Sequence, residues 1–92
     1  MAELLLTKRA KQDLAALPRP VQEAVLDTLT VLEIRPEELG KELRGRLGGL
    51  WSCRVGNYRI LYTIEGADPG WSVIVRAIRH RAVAYGRRRR RR

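Results

Sequence analysis

"LWSCRVGNYRILY", residues 50–62, is the stretch that decides the fold. Residues 50–55 and 58–64 alternate at period two, as half-buried strands do, and Gly56-Asn57 between them is a two-residue hairpin turn. Such a turn sets the register. It predicts Val55 opposite Tyr58, Arg54 opposite Arg59, Cys53 opposite Ile60, Ser52 opposite Leu61 and Trp51 opposite Tyr62. Directly opposed side chains share a face. One face then reads Trp51, Cys53, Val55, Tyr58, Ile60 and Tyr62, which is a core face. The other carries Arg54 and Arg59 side by side, with Ser52 beyond. Opposed like charges cost from a few tenths to about one kcal/mol. A phosphate between them converts that repulsion into charge-assisted contacts, because the guanidinium fork matches phosphate oxygens. A solvated basic face, with the arginines fanned apart, is the other reading of the pair.

On the N-terminal side, Glu3 to Leu6 reads as a first strand and Thr7 as a helix N-cap. Ala10, Leu14 and Leu17 follow at helical spacing until Pro18 stops the helix. In the next segment Val21, Ala24, Val25, Leu29 and Leu32 keep the 3.6-residue period. Pro20 suits the first turn of this helix, and Pro36 lies just past its end. Two helices joined by Pro-Arg-Pro read as an αα-hairpin with one apolar stripe facing a sheet.

Beyond Gly40, "KELRGRLGG" (residues 41–49) is consistent with a short strand and a turn. Residues 66–70, "GADPG", make a second turn region, and residues 71–79 a last strand rich in Val and Ile. Trp71, at the start of that strand, is the aromatic expected to be exposed. His80 to Tyr85 suit one loose helical turn. The register of the last strand stays open. An odd loop count sets Thr63 against Val73 and Arg59 against Ala77, with Arg79 on the arginine face, whereas a one-residue slip brings Arg76 beside Arg59. Either way a third arginine reaches the site. The expected fold is α+β: an N-terminal strand and a helical hairpin packed on a small, mainly antiparallel twisted sheet, in the order β-α-α-β-β-β with a short C-terminal turn. Residues 1–86 form one domain, and the arginines at 87–92 have no apolar residue to bury and are expected to be disordered alone.

Charge narrows the partner. Residues 1–40 hold five Lys/Arg against seven Asp/Glu, a net of −2, while residues 41–86 hold eight against three, a net of +5. The six C-terminal arginines bring the chain to +9. An acidic front joined to a basic back points to a polyanion, most simply nucleic acid. One cysteine, Cys53, leaves no internal disulfide and suggests a reducing cytoplasm. Neither a signal peptide nor a membrane span is expected. One histidine and one cysteine among scattered carboxylates make no metal-ligand set, so neither metal nor cofactor is expected.

"ELRGRLGGLWSCRVGNYRILYTIEG" followed by "VIVRAIRHRAVAYG" resembles the RelE/ParE toxin superfamily, in particular the RelE-type ribosome-dependent mRNA interferases of bacterial toxin–antitoxin pairs. The resemblance spans residues 1–86 and is carried most specifically by R-V-G-x-Y-R-x-x-Y and H-R-x-x-x-Y. It implies an RNA strand in the ribosomal A site lying across the basic face of the sheet. Family catalytic positions then fall on Arg54, Arg59, Arg79 and Tyr85, while the family's other strand lysine falls at Ser52, a departure. The reaction implied is attack of a ribose 2′-hydroxyl on the adjacent phosphate. Guanidinium stays protonated and stabilises developing charge, so Arg59 and Arg54 are assigned to the phosphorane and Arg79 to the leaving 5′-oxygen. Tyr85 serves as base if the arginines lower its ordinary phenol acidity of about 10. His80 is the rival base, since imidazole exchanges protons near neutrality. Arg81, Arg44 and Arg46 are further candidate phosphate contacts. The partners implied are a RelB-like antitoxin, the ribosome and mRNA. A ParE-like toxin that poisons DNA gyrase without cutting RNA is the alternative, because it shares the first motif.

Overall fold

The computed structural model describes residues 3–66 and 70–83. β1 (Glu3–Leu6) leads into α1 (Lys8–Ala15) and α2 (Arg19–Leu32). A one-turn α3 (Pro36–Leu39) and a two-residue β2 (Lys41–Glu42) follow, then a 3-10 turn at Gly45–Leu47. β3 (Trp51–Val55), β4 (Tyr58–Glu65), β5 (Ser72–His80) and a 3-10 turn at Arg81–Val83 complete the described chain. The five strands form one mixed sheet in the order β1-β5-β4-β3-β2, antiparallel except for the β1–β5 pair. This is the expected α+β architecture, and α3 is an addition to it at Pro36, which the sequence marks only as the end of α2. Tyr85 and the arginine tail lie outside the described residues.

Local chemistry sets each helix start. The Thr7 hydroxyl accepts from the Ala10 N–H at 3.1 Å and caps α1. α2 starts at Arg19 with Pro20 in its first turn, where no amide is needed. The Gln22 side-chain amide donates to Leu14 O at 3.0 Å, closing the helical hairpin. α1 and α2 cover one face of the sheet. There Ala10, Val25, Leu29 and Leu32 meet Cys53, Ile60, Tyr62, Val73, Val75 and Ile78. Each large member contributes about 1.5–3 kcal/mol by leaving water. Trp71 is not the exposed aromatic expected at the start of the last strand. It is half-buried and packs against this cluster.

Tyr62 holds the far edge. Its ring is fully buried and stacks with Trp51 at 6.3 Å, while its hydroxyl donates to Pro36 O at 2.6 Å. α3 is thereby clipped to the sheet. Gly40 passes so close that a Cβ there would fall on the Tyr62 Oη and lie 3.0 Å from Ser52 O. Burial raises the pKa of the Tyr62 phenol well above its ordinary 10.0, with Cys53 adding to the shift, and burial likewise raises that of the Cys53 thiol above 9.0. Both groups are neutral in the fold. Their contribution to stability is therefore complete below the unfolded-state values and is lost as pH rises above about 9 to 10. Urea denaturation at rising alkaline pH is expected to show a loss of stability that Tyr62→Phe shallows. An unchanged slope in that variant would remove Tyr62 as the cause.

Candidate functional site

The β3–β4 register is the one the Gly56-Asn57 turn predicts, with Arg54 against Arg59. Gly56 supplies the positive φ (+59°) that this tight turn requires. β5 then departs from both registers expected from sequence. From Tyr58↔His80 to Leu61↔Ala77 one register holds, but Tyr62 pairs with Val75, so Arg76 is an extra residue in a bulge. The bulge reverses which side chains face the core: Val73 and Val75 point inward before it, Ile78 after it. Arg79 is thereby turned to the helix-free face, directly opposite Arg59 rather than diagonal to it. Arg76 does not reach the site. Its guanidinium turns to Thr63 Oγ1 at 3.2 Å and Glu65 Oε2 at 2.8 Å.

Arg54, Arg59 and Arg79 thus form one row across three adjacent strands. Arg54 is exposed, and its Nε donates to Gly56 O at 3.2 Å. Arg59 and Arg79 are half-buried, and the Nε of each is buried without a hydrogen bond. Buried donors without acceptors are costly, about 1–3 kcal/mol each and more when charged. Three like charges in line add repulsion. An anion on this row relieves both costs. Beneath it lies a row of shorter side chains, Ser52, Leu61 and Ala77, at 8, 6 and 8 % exposure. The helix-free face is thus less solvated than the sequence suggested.

Asp13 was missed in sequence. β1 ends at its pairing with Val75, leaving the edge of β5 open beyond that point. The Thr7 hydroxyl donates to Arg76 O at 3.1 Å, and the Asp13 carboxylate accepts from the Ile78 N–H at 3.0 Å. The same carboxylate accepts from Arg9 Nε at 3.1 Å and stands 3.8 Å from Arg79 Nε. One acid on α1 therefore seals the strand edge and sets the charge beside Arg79. The only available signal was a lone carboxylate inside an amphipathic helix. Asp13→Ala is expected to lower stability by about 1–3 kcal/mol and to release the Ile78 amide to hydrogen exchange. Asp13→Asn keeps an acceptor and should lose less. An Ile78 amide that stays equally protected in the alanine variant would refute the edge role.

His80 does not join the row. It pairs with Tyr58, on the opposite face of the sheet from Arg59 and Arg79, and its ring meets Tyr58 edge-on at 5.3 Å. Its Nδ1 accepts from the Ala82 N–H at 3.3 Å. The bulge is the reason, since it sends even-numbered residues after Arg76 toward the helices. Arg81 is exposed, and its backbone N–H donates to Asn57 O at 2.7 Å, so it continues past the hairpin turn. Arg44 and Arg46 are exposed on the connection between β2 and β3, outside the row. Among the described residues, no three His, Cys, Asp or Glu converge as a metal site, and no helix is long and apolar enough to cross a membrane.

Known proteins share this fold. Toxin RelG of Mycobacterium tuberculosis is 38% identical over 82 residues, which span 88% of this chain and 92% of the relative. Toxin RelE of the same organism is 36% identical over 81 residues, or 87% and 81% of the two chains. The crystal structure of the toxin–antitoxin complex RelBE2 from Mycobacterium tuberculosis matches with a TM-score of 0.78 at 34% identity, covering 87% of this chain and 98% of that one. The family described as the ParE toxin of type II toxin–antitoxin systems matches residues 4–85. The chain belongs to that toxin family, and within the RelE/ParE superfamily it is RelE-like.

Proposed function

We propose that this toxin is a metal-independent endoribonuclease that cuts mRNA in the ribosomal A site. The observation that carries the reading is the Arg54–Arg59–Arg79 row, with two buried Nε donors that make no hydrogen bond. The ribose 2′-oxygen attacks the adjacent phosphorus, the P–O5′ bond breaks, and the products are a 2′,3′-cyclic phosphate and a 5′-hydroxyl. Arg59, at the centre of the row, and Arg54 stabilise the charge of the phosphorane. Arg79 stands at the leaving O5′ and neutralises its developing charge, and water supplies the proton that this oxygen takes up as the bond breaks. Tyr85 is the group assigned to take the 2′-hydroxyl proton. His80 is left out of the mechanism because it lies on the other face. Arg81, Arg44 and Arg46 act as outlying contacts that guide the RNA backbone.

The partner that silences the toxin is an antitoxin of the RelB kind, a reading supported by the similarity to a solved toxin–antitoxin complex. An acidic, partly disordered segment suits the +9 chain and folds as it binds. The ParE description of the matching family supports the second reading, a gyrase poison that leaves RNA intact. Primer extension on mRNA after induced expression separates the two. New ends within A-site codons are expected. Intact mRNA together with a DNA-damage response would replace the first reading with the second.

A further inference from the structure

Beside the arginine row a groove of about 480 Å³ opens between the sheet and the α3–β2 edge. Its size lies in the ~300–1,000 Å³ range of small-ligand sites. Arg54 and Arg59 line it together with Leu39, Leu43 and Ser52. The short side chain at 52 keeps the groove open. Leu39, at 40% exposure, and Leu43 bring apolar surface to the groove beside its two arginines. Glu38 and Lys41 also line the groove.

We infer that this groove is a nucleobase site, holding the base of the nucleotide whose phosphate sits on Arg54 and Arg59. The inference rests on the RNA-cleavage reading of the arginine row and names the part of the substrate next to it. A phosphate alone has no use for two leucine side chains. A nucleotide does, because it joins an anion to a flat body with apolar faces and polar edges. The faces of the base lie against Leu39 and Leu43, and its edge meets the Glu38 carboxylate as acceptor and the Lys41 ammonium as donor. Both charged groups are solvent-exposed, so they discriminate weakly among bases. Having a base matters more than which base it is. The groove wall is also stiff, since Tyr62 clips α3 to the sheet through Pro36 O.

The test is a titration of the full chain followed by NMR, with inorganic phosphate, ribose 5-phosphate and the four nucleoside 5′-monophosphates. All six ligands are expected to shift the amides around Arg54 and Arg59. Only the nucleotides should also shift the Gly40 and Lys41 amides and the Leu39 and Leu43 methyls. Each nucleotide should bind at least about fivefold more tightly than ribose 5-phosphate, and the four should lie within about tenfold of one another. Leu39→Ser removes apolar surface without altering charge and should abolish the fivefold advantage while leaving ribose 5-phosphate binding unchanged. Leu43→Ser gives the same readout should the first variant fold poorly. Nucleotides that bind no better than ribose 5-phosphate would overturn the inference. So would leucine methyls that respond to an acidic antitoxin segment and not to nucleotides, which would make the groove a protein site. Absence of binding by every ligand would remove clamp and groove together. Nucleotide binding in the groove with mRNA left whole in cells would keep the site and discard the cleavage reading.

Discussion

Arg59→Ala is expected to abolish growth arrest and to slow RNA cleavage by about 10²–10³-fold, the usual effect of removing one preorganised donor from a developing oxyanion. Arg59 is singled out because it has a cross-strand arginine on each side, so a phosphate on the row contacts it from either approach. The fold should not suffer. The substitution removes a buried Nε without a hydrogen bond and relieves repulsion with both neighbours, so the melting temperature should stay level or rise. Loss of activity with equal or greater stability is the signature of a site residue. Arg59→Lys keeps the charge but not the planar fork, and should restore only part of the rate. Induced growth curves, primer extension and thermal melts check all three statements. A fully toxic, mRNA-cleaving Arg59→Ala protein would remove Arg59 from the mechanism.

Tyr62→Ala is expected to cost about 3–5 kcal/mol, as large-to-small changes of buried aromatics do. For a domain this small each kcal/mol moves the melting temperature by roughly 4–8 °C, so the variant should be largely unfolded at growth temperature. Tyr62 is fully buried, stacks with Trp51 and holds Pro36 O by its hydroxyl. Tyr62→Phe isolates the hydroxyl. It keeps the ring, leaves a buried carbonyl without its donor, and should cost about 1–3 kcal/mol. Gly40→Ala attacks the same contact from the other side, because its methyl group takes the space of the Tyr62 Oη. If α3 is held by that hydroxyl, the phenylalanine and glycine variants should weaken nucleotide binding in the groove before they unfold the domain. Melts and urea titrations of the three variants check the order. A Tyr62→Phe protein as stable as the parent would show that the hydroxyl bond contributes nothing net.

Much of this was legible in the chain. The hairpin register followed from Gly56-Asn57, a local signal whose geometry a two-residue loop enforces. The α1 cap at Thr7, the α2 start at Pro20 and the core stripe through Val25, Leu29 and Leu32 are equally local, written in cap chemistry and helical period. α3 was hidden because Pro36 is at once a stop for one helix and a good first residue for the next. Asp13 was hidden because its partner, the Ile78 amide, is distant in sequence and becomes an open edge only where β1 runs out.

By itself the sequence determined the Arg54–Arg59 pair, the basic face and the helical layer that backs it. Each depends on neighbours within a few residues and on strict alternation along a strand. Only the tertiary structure decided the third arginine. The bulge at Arg76 reverses the alternation, brings Arg79 into line with Arg59 and carries His80 to the far face. A bulge costs a strand its regular ladder, so its place is chosen where distant partners offset the loss. Here the Thr7 hydroxyl and the Asp13 carboxylate bond backbone groups of β5 on either side of the bulge, while Thr63 and Glu65 hold the Arg76 guanidinium.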